Sequence, residues 1–111
     1  MEKGQMKKGV LELCILQVVS REELYGYEIM KQVTGVFPEL NESTVYAVLR
    51  RLHADGCTEC YTGGTSGGPA RKYYRVTETG KEHLQKMLDE WHEMLAALEK
   101  LGISTAPPPQ K

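Results

Sequence analysis

The stretch from Leu40 to Thr77, LNESTVYAVLRRLHADGCTECYTGGTSGGPARKYYRVT, constrains this chain most: a short amphipathic helix runs directly into a hairpin with a glycine-rich, basic tip. Asn41 can cap the helix, because its side-chain oxygen can accept from free N–H groups of the first turn. The helix is predicted from Glu42 to about Asp55, with Gly56 as the left-handed residue that ends it. Val45, Val48, Leu49 and Leu52 recur at helical spacing and form one apolar stripe. At roughly 100° per residue, Ser43, Ala47, Arg50 and Ala54 lie opposite that stripe, with Thr44, Tyr46 and Arg51 on its flanks. The outward face therefore carries small residues, hydroxyls and guanidinium groups. Small residues let a helix sit deep in a major groove, and arginine can fork onto guanine edges or phosphates. A plain amphipathic helix with Arg50 and Arg51 as solvated charge fits the same pattern, so the helix alone leaves both readings open.

The hairpin tips the balance. Cys57 to Thr62 and Lys72 to Thr77 have strand-like composition, and GGTSGGPA between them supplies the turn residues of a long loop. Pro69 suits that loop and would not suit a central strand. Arg71, Lys72 and Arg75 put positive charge on the return strand, interleaved with Tyr73 and Tyr74. Alternation sends Tyr73 and Arg75 to one face and Lys72, Tyr74 and Val76 to the other, so one tyrosine packs on the helices and its neighbour faces outward. A helix able to enter a groove, next to a hairpin able to grip the backbone, specifies an α+β, mainly α, winged helix-turn-helix. Ser43, Thr44, Tyr46 and Arg50 would face the major groove. Arg51, Tyr25, Arg71, Lys72 and Tyr73 would hold the DNA backbone or minor groove. A winged helix used only for protein contacts is the alternative within the same fold.

The formal net charge of −1 seems wrong for a nucleic-acid binder, but the charge is sorted by segment. Residues 41–76 hold five Lys/Arg against three Asp/Glu, and residues 77–101 hold three against six. A locally basic face can then engage phosphates while the last helix stays acidic, with modest affinity and strong salt dependence. The absence of a signal peptide or an apolar run of about 18 residues predicts a soluble, cytoplasmic protein without membrane contact. Three cysteines, Cys14, Cys57 and Cys60, make an odd number, which argues against a disulfide framework. On a strand, the C-x-x-C offset of Cys57 and Cys60 would point them to opposite faces, and His53, His83 and His92 add no matching cluster. No metal, no cofactor and no catalytic constellation is predicted; a thiol-responsive regulator stays open as an alternative.

Upstream, residues 7–20 (KKGVLELCILQVVS) form an apolar first helix with Leu11, Cys14, Ile15 and Val18 on one stripe. Val10, Leu13, Leu16 and Val19 are apolar as well, and Val10 and Leu13 continue a second line that starts at Met6. That surplus calls for a partner. After the link REELY, a second helix spans about Gly26 to Val36. Tyr25 at its start could reach a phosphate beside the helix N-terminus, or could simply pack at an edge. Downstream, Thr77 caps a helix from Glu78 to about Leu101. Its apolar residues Leu84, Leu88, Trp91, Leu95, Leu98 and Leu101 follow nearly heptad steps, over a length of roughly 36 Å. Packing of this helix against its own and another subunit's first helix predicts a two-fold dimer through Met6, Val10, Leu13, Leu84, Leu88, Trp91, Leu95 and Leu98. The organisation expected is a winged helix-turn-helix over residues 1–76, a long C-terminal dimerisation helix over 77–103, and a disordered tail over 104–111.

These motifs together resemble the PadR family of bacterial transcriptional regulators, over nearly the whole chain from Lys8 to about Leu101. The resemblance rests on GVLELCIL, the YGYEI from Tyr25 to Ile29, the L-x-x-x-T-x-Y-x-x-L-x-R-L run from Leu40, GGPARKYYRVTETG, and Trp91. The single terminal helix is similar to the compact branch of that family. The resemblance implies a homodimeric repressor that binds inverted-repeat double-stranded DNA and releases it when a small molecule binds. By position it implies recognition roles for Thr44 and Tyr46, wing roles for Arg71, Lys72 and Tyr73, and DNA contacts for Tyr25 and Tyr27. It also implies that Trp91 stacks on a planar hydrophobic effector at the dimer centre, where ordinary core packing is the competing reading. The cysteines are not part of the family pattern.

Overall fold

The computed structural model describes residues 8–63 and 70–104. Met6, the wing tip with Pro69, and the tail beyond residue 104 lie outside the described residues. Seven elements follow in order: α1 (Lys8–Arg21), β1 (Leu24–Tyr25), α2 (Gly26–Val36), α3 (Glu42–Ala54), β2 (Thr58–Gly63), β3 (Arg71–Val76) and α4 (Glu78–Lys100). The three strands form one antiparallel sheet in the order β1-β3-β2. This is a mainly helical α+β winged helix-turn-helix. Among the described residues no helix is long and apolar enough to cross a membrane.

The segment read as a mere link, REELY, contains a strand. Leu24 pairs with Tyr74 and Tyr25 with Tyr73, so β3 becomes the central strand and the hairpin is tied to the helices. The Tyr25 N–H donates to Glu28 Oε1 at 3.2 Å, which fixes the entry into α2.

The α3 stripe Val45, Val48, Leu49 and Leu52 is buried against Ile29, Met30 and Val33 of α2 and the inner face of α1. That inner face is Leu11, Ile15, Leu16 and Val19 rather than the stripe expected from spacing. Leu16 is fully buried, whereas Cys14 and Val18 are only half-buried. A helix apolar on several sides has no single preferred phase, so the neighbours choose it.

Asn41 occupies the N-cap position of α3, but its side chain makes no capping bond; its backbone carbonyl accepts from Thr44 and Val45 instead. The helix ends as expected at Gly56, with φ of +82°. The Cys57 N–H reaches the Leu52 carbonyl and the Gly56 N–H reaches the His53 carbonyl, which is a Schellman closure.

Thr77 then locks the wing to α4. Its Oγ1 accepts from the Gly80 N–H at 3.0 Å and donates to the Gly56 carbonyl at 2.6 Å, and its N–H donates to the Cys57 carbonyl. Thr77→Ala should lose about 1–2 kcal/mol of stability, seen as a lower urea midpoint at unchanged slope. Thr77→Ser should retain most of it. An alanine variant that melts with the wild type would show that the lock contributes nothing.

Candidate nucleic-acid interface

Burial of the α3 stripe turns Ser43, Thr44, Ala47 and Arg50 outward into solvent. Tyr46 is half-buried. A Cβ on Gly26 would stand 3.5 Å from Cε1 of Tyr46 and 3.7 Å from Cε1 of Tyr74, so both rings close over the start of α2. Burial first, and then the Glu42 carboxylate, push the Tyr46 hydroxyl above its ordinary value, so it stays protonated and able to donate. Arg50 lies near enough to Tyr74 to draw that phenol downward against the stronger upward push of burial. Alternation puts Lys72 on the same face of β3 as Tyr74, one step nearer the wing tip. Arg50 and Lys72 thus lie on the helix side of the hairpin, and among the described residues neither forms an ion pair.

The opposite face of the sheet carries an aromatic row. Tyr27 stacks near Tyr25 at 6.5 Å, Tyr25 meets Tyr73 edge-on at 5.6 Å, and Tyr73 stacks on Tyr61 at 5.6 Å. Cations sit over the rings: Lys31 at 5.9 Å from Tyr27, Arg71 at 4.7 Å from Tyr25, and Arg75 at 4.6 Å from Tyr61. The Tyr61 hydroxyl donates to Glu23 Oε1 at 2.6 Å, and that bond is the main reason its titration is raised. Tyr25, Tyr73 and Arg71 are therefore one packed unit, while Tyr27 is 52% exposed at the outer end of the row. Tyr61 belongs beside them and was not singled out from the sequence. The register of the hairpin, which sets Tyr61 opposite Tyr73, is the signal that would have found it.

Two sequence expectations need correction. Arg51 does not join the outward face: its guanidinium pairs with the Glu12 carboxylate on α1, so it ties α3 to the first helix instead of reaching for a phosphate. Leu84 is not free for a partner subunit, because it is only 8% exposed within the chain's own core. Leu88 also packs against that core, whereas Trp91, Leu95 and Leu98 lie half-buried beyond it.

The cysteines are all free thiols. Cys57 precedes β2 and is buried, whereas Cys60 lies on the strand with its Sγ 3.6 Å from His53 Nδ1. Burial pushes the Cys14 and Cys57 thiols up, which favours their protonated form.

A groove of about 480 Å³ opens between α1 and α4. Val10 and Leu13 line one wall, Met87, Trp91 and Met94 the other, and Glu12, His83 and Glu90 supply its polar groups. Glu12 Oε1 lies 3.4 Å from His83 Nε2, on the far side of the carboxylate from Arg51.

The transcriptional regulator PadR-like family matches this sequence over residues 15–86. The chain is 36% identical over 97 residues to an uncharacterized protein of Lysinibacillus sphaericus, a match that spans 85% of this chain and 89% of the other. It is similar to the crystal structure of a PadR-like transcriptional regulator of Bacillus cereus, at 36% identity and a TM-score of 0.79, over 88% of this chain and 96% of that one. It is also similar to Bacillus subtilis PadR in complex with operator DNA, at 26% identity and a TM-score of 0.61, with 92% of this chain matched to 52% of that one.

Proposed function

This chain belongs to the PadR-like family of transcriptional regulators, and we propose that it acts as a homodimeric, operator-binding repressor released by a small molecule. The observation that carries the reading is the juxtaposition of the exposed Ser43, Thr44, Ala47 and Arg50 face of α3 with Lys72 on the same side of the wing. Small residues at the centre of that face admit the helix to a major groove, and the two cations flank it. Tyr27, at the exposed end of the aromatic row, and the cations Lys31 and Arg71 extend the surface along the backbone. The likeness to a PadR protein in complex with operator DNA supports DNA binding by this chain.

In this reading residues 1–76 read DNA and residues 77–103 hold two copies together. Among the described residues no core side chain covers Trp91, Leu95 and Leu98 beyond Leu88, and a second copy would supply that cover. Two-fold symmetry would set the two α3 helices on inverted half-sites about one helical turn, roughly 34 Å, apart. The groove at Trp91 is where a planar hydrophobic effector would lie.

The test is binding of the purified protein to duplex DNA upstream of its own gene, titrated against salt and competitor. Retention under excess competitor, with a two-fold symmetric footprint, is the expected result. A chain that ignores duplex DNA even at low salt would be a protein-contact module instead. Arg50→Ala should cost about 1–3 kcal/mol and relax the preference at one base position. Lys72→Ala should weaken all sequences evenly and lower the slope of log affinity against log salt by about 1. Full operator affinity in both variants would move the DNA face elsewhere.

A further inference from the structure

We propose that Glu12 couples the groove to the recognition helix: a ligand bearing a protonated amine takes this carboxylate from Arg51 and so loosens α3. The inference rests on the effector reading given above and adds how occupancy reaches the DNA face. One side chain touches three things here. Glu12 pairs with Arg51 of α3 through Oε2, lies 3.4 Å from His83 of α4 through Oε1, and lines the groove between α1 and α4. Its side chain is only 18% exposed, so it has little room to swing away into solvent.

The groove decides the class of ligand. Among the described residues its charged groups are the carboxylates of Glu12 and Glu90, with the His83 imidazole beside them, and no lysine or arginine. Val10, Leu13, Met87, Trp91 and Met94 make the rest apolar. That lining fits a flat hydrocarbon body carrying one ammonium. An ammonium entering from the groove meets Oε1, on the His83 side, and draws the shared negative charge away from the guanidinium held on Oε2. Glu12 is the sole ion-pair partner of Arg51 among the described residues, and a half-buried guanidinium deprived of it has to turn toward solvent. Arg51 is the polar tie between α3 and α1, and α3 presents the DNA face on its other side. Freed from that tie, the two recognition helices of a dimer lose the fixed placement that operator spacing demands.

The test uses two matched probes, 1-naphthylmethylamine and the neutral 1-naphthylmethanol. Binding is read from the indole N–H resonance of Trp91, the single tryptophan, and function from operator affinity. In the wild type both probes should move the resonance, but only the amine should weaken operator binding, by about tenfold. Glu12→Gln should bind operator about tenfold more weakly with no ligand present and should not weaken further with the amine. Arg51→Gln, which removes the tie from the other side, should behave alike. Variants that bind operator as the wild type does and still respond to the amine would overturn the coupling. If neither probe moves the Trp91 resonance, the groove reading itself fails. In that case the ligand-free operator affinities of the two variants still decide whether the Glu12–Arg51 pair positions α3.

Discussion

Gly80→Ala should destabilise this protein by about 3–5 kcal/mol, a loss in the range reserved for severe steric and core lesions. A Cβ at Gly80 would stand 2.0 Å from the Cys57 carbonyl oxygen, 2.9 Å from its carbon and 2.8 Å from Val76 Cγ2. Two of those three atoms are backbone, held where they are by the closure of α3 and by the Thr77 N–H bond to the same carbonyl. Nothing flexible can give way, so α4 must lift off the α3–β2 junction. Helix propensity pushes the opposite way, favouring alanine by about 1 kcal/mol in a helix interior, and it is outweighed. The check is thermal unfolding by circular dichroism, with an expected fall in Tm of at least about 10 °C. Gly35→Ala is the matched control, since a Cβ there meets nothing within 4 Å and Gly35 lies inside α2. It should be neutral or slightly stabilising. A Gly80→Ala chain that melts with the control would mean that α4 does not pack against the Cys57 carbonyl.

What the sequence made legible, and what it hid, follows from the range of each interaction. The α3 stripe, the Gly56 stop and the Thr77 cap depend on neighbours within a turn or two, and all three are read directly from spacing. Strand β1 was invisible because two residues carry no period, and its partners Tyr73 and Tyr74 lie far along the chain. Arg51 looked like a DNA contact because its flank position on α3 is compatible with either face. Only the approach of α1, which brings Glu12 against it, decides the matter. Leu84 continues a heptad seam in sequence, yet the seam's first turn is covered by the chain's own helices. The aromatic row shows the same limit: Tyr25, Tyr61 and Tyr73 come from three strands, and no local pattern links them.

In the dimer proposed above, Leu98→Glu should leave single chains and cut operator affinity by about 10²–10⁴, because the second half-site then has to be found from solution instead of being held in place. Leu98 is half-buried at the end of α4, with Leu101 79% exposed and Ile103 50% exposed just beyond it. Among the described residues the core reaches only to Leu88, so this apolar end lies past it. A carboxylate added there joins Glu93 and Glu99 on an already acidic segment, and a symmetric interface brings each added charge near its copy. The winged region keeps its own core, whose last buried residue is Leu84 with Leu88 packed against it, so α1 to β3 should stay folded. Sedimentation of Leu98→Glu should therefore give one chain mass, and its half-site affinity should match that of the wild type on a single half-site. A variant that sediments as a dimer and retains full operator affinity would remove the end of α4 from the interface. The pairing of subunits would then have to be sought along α1.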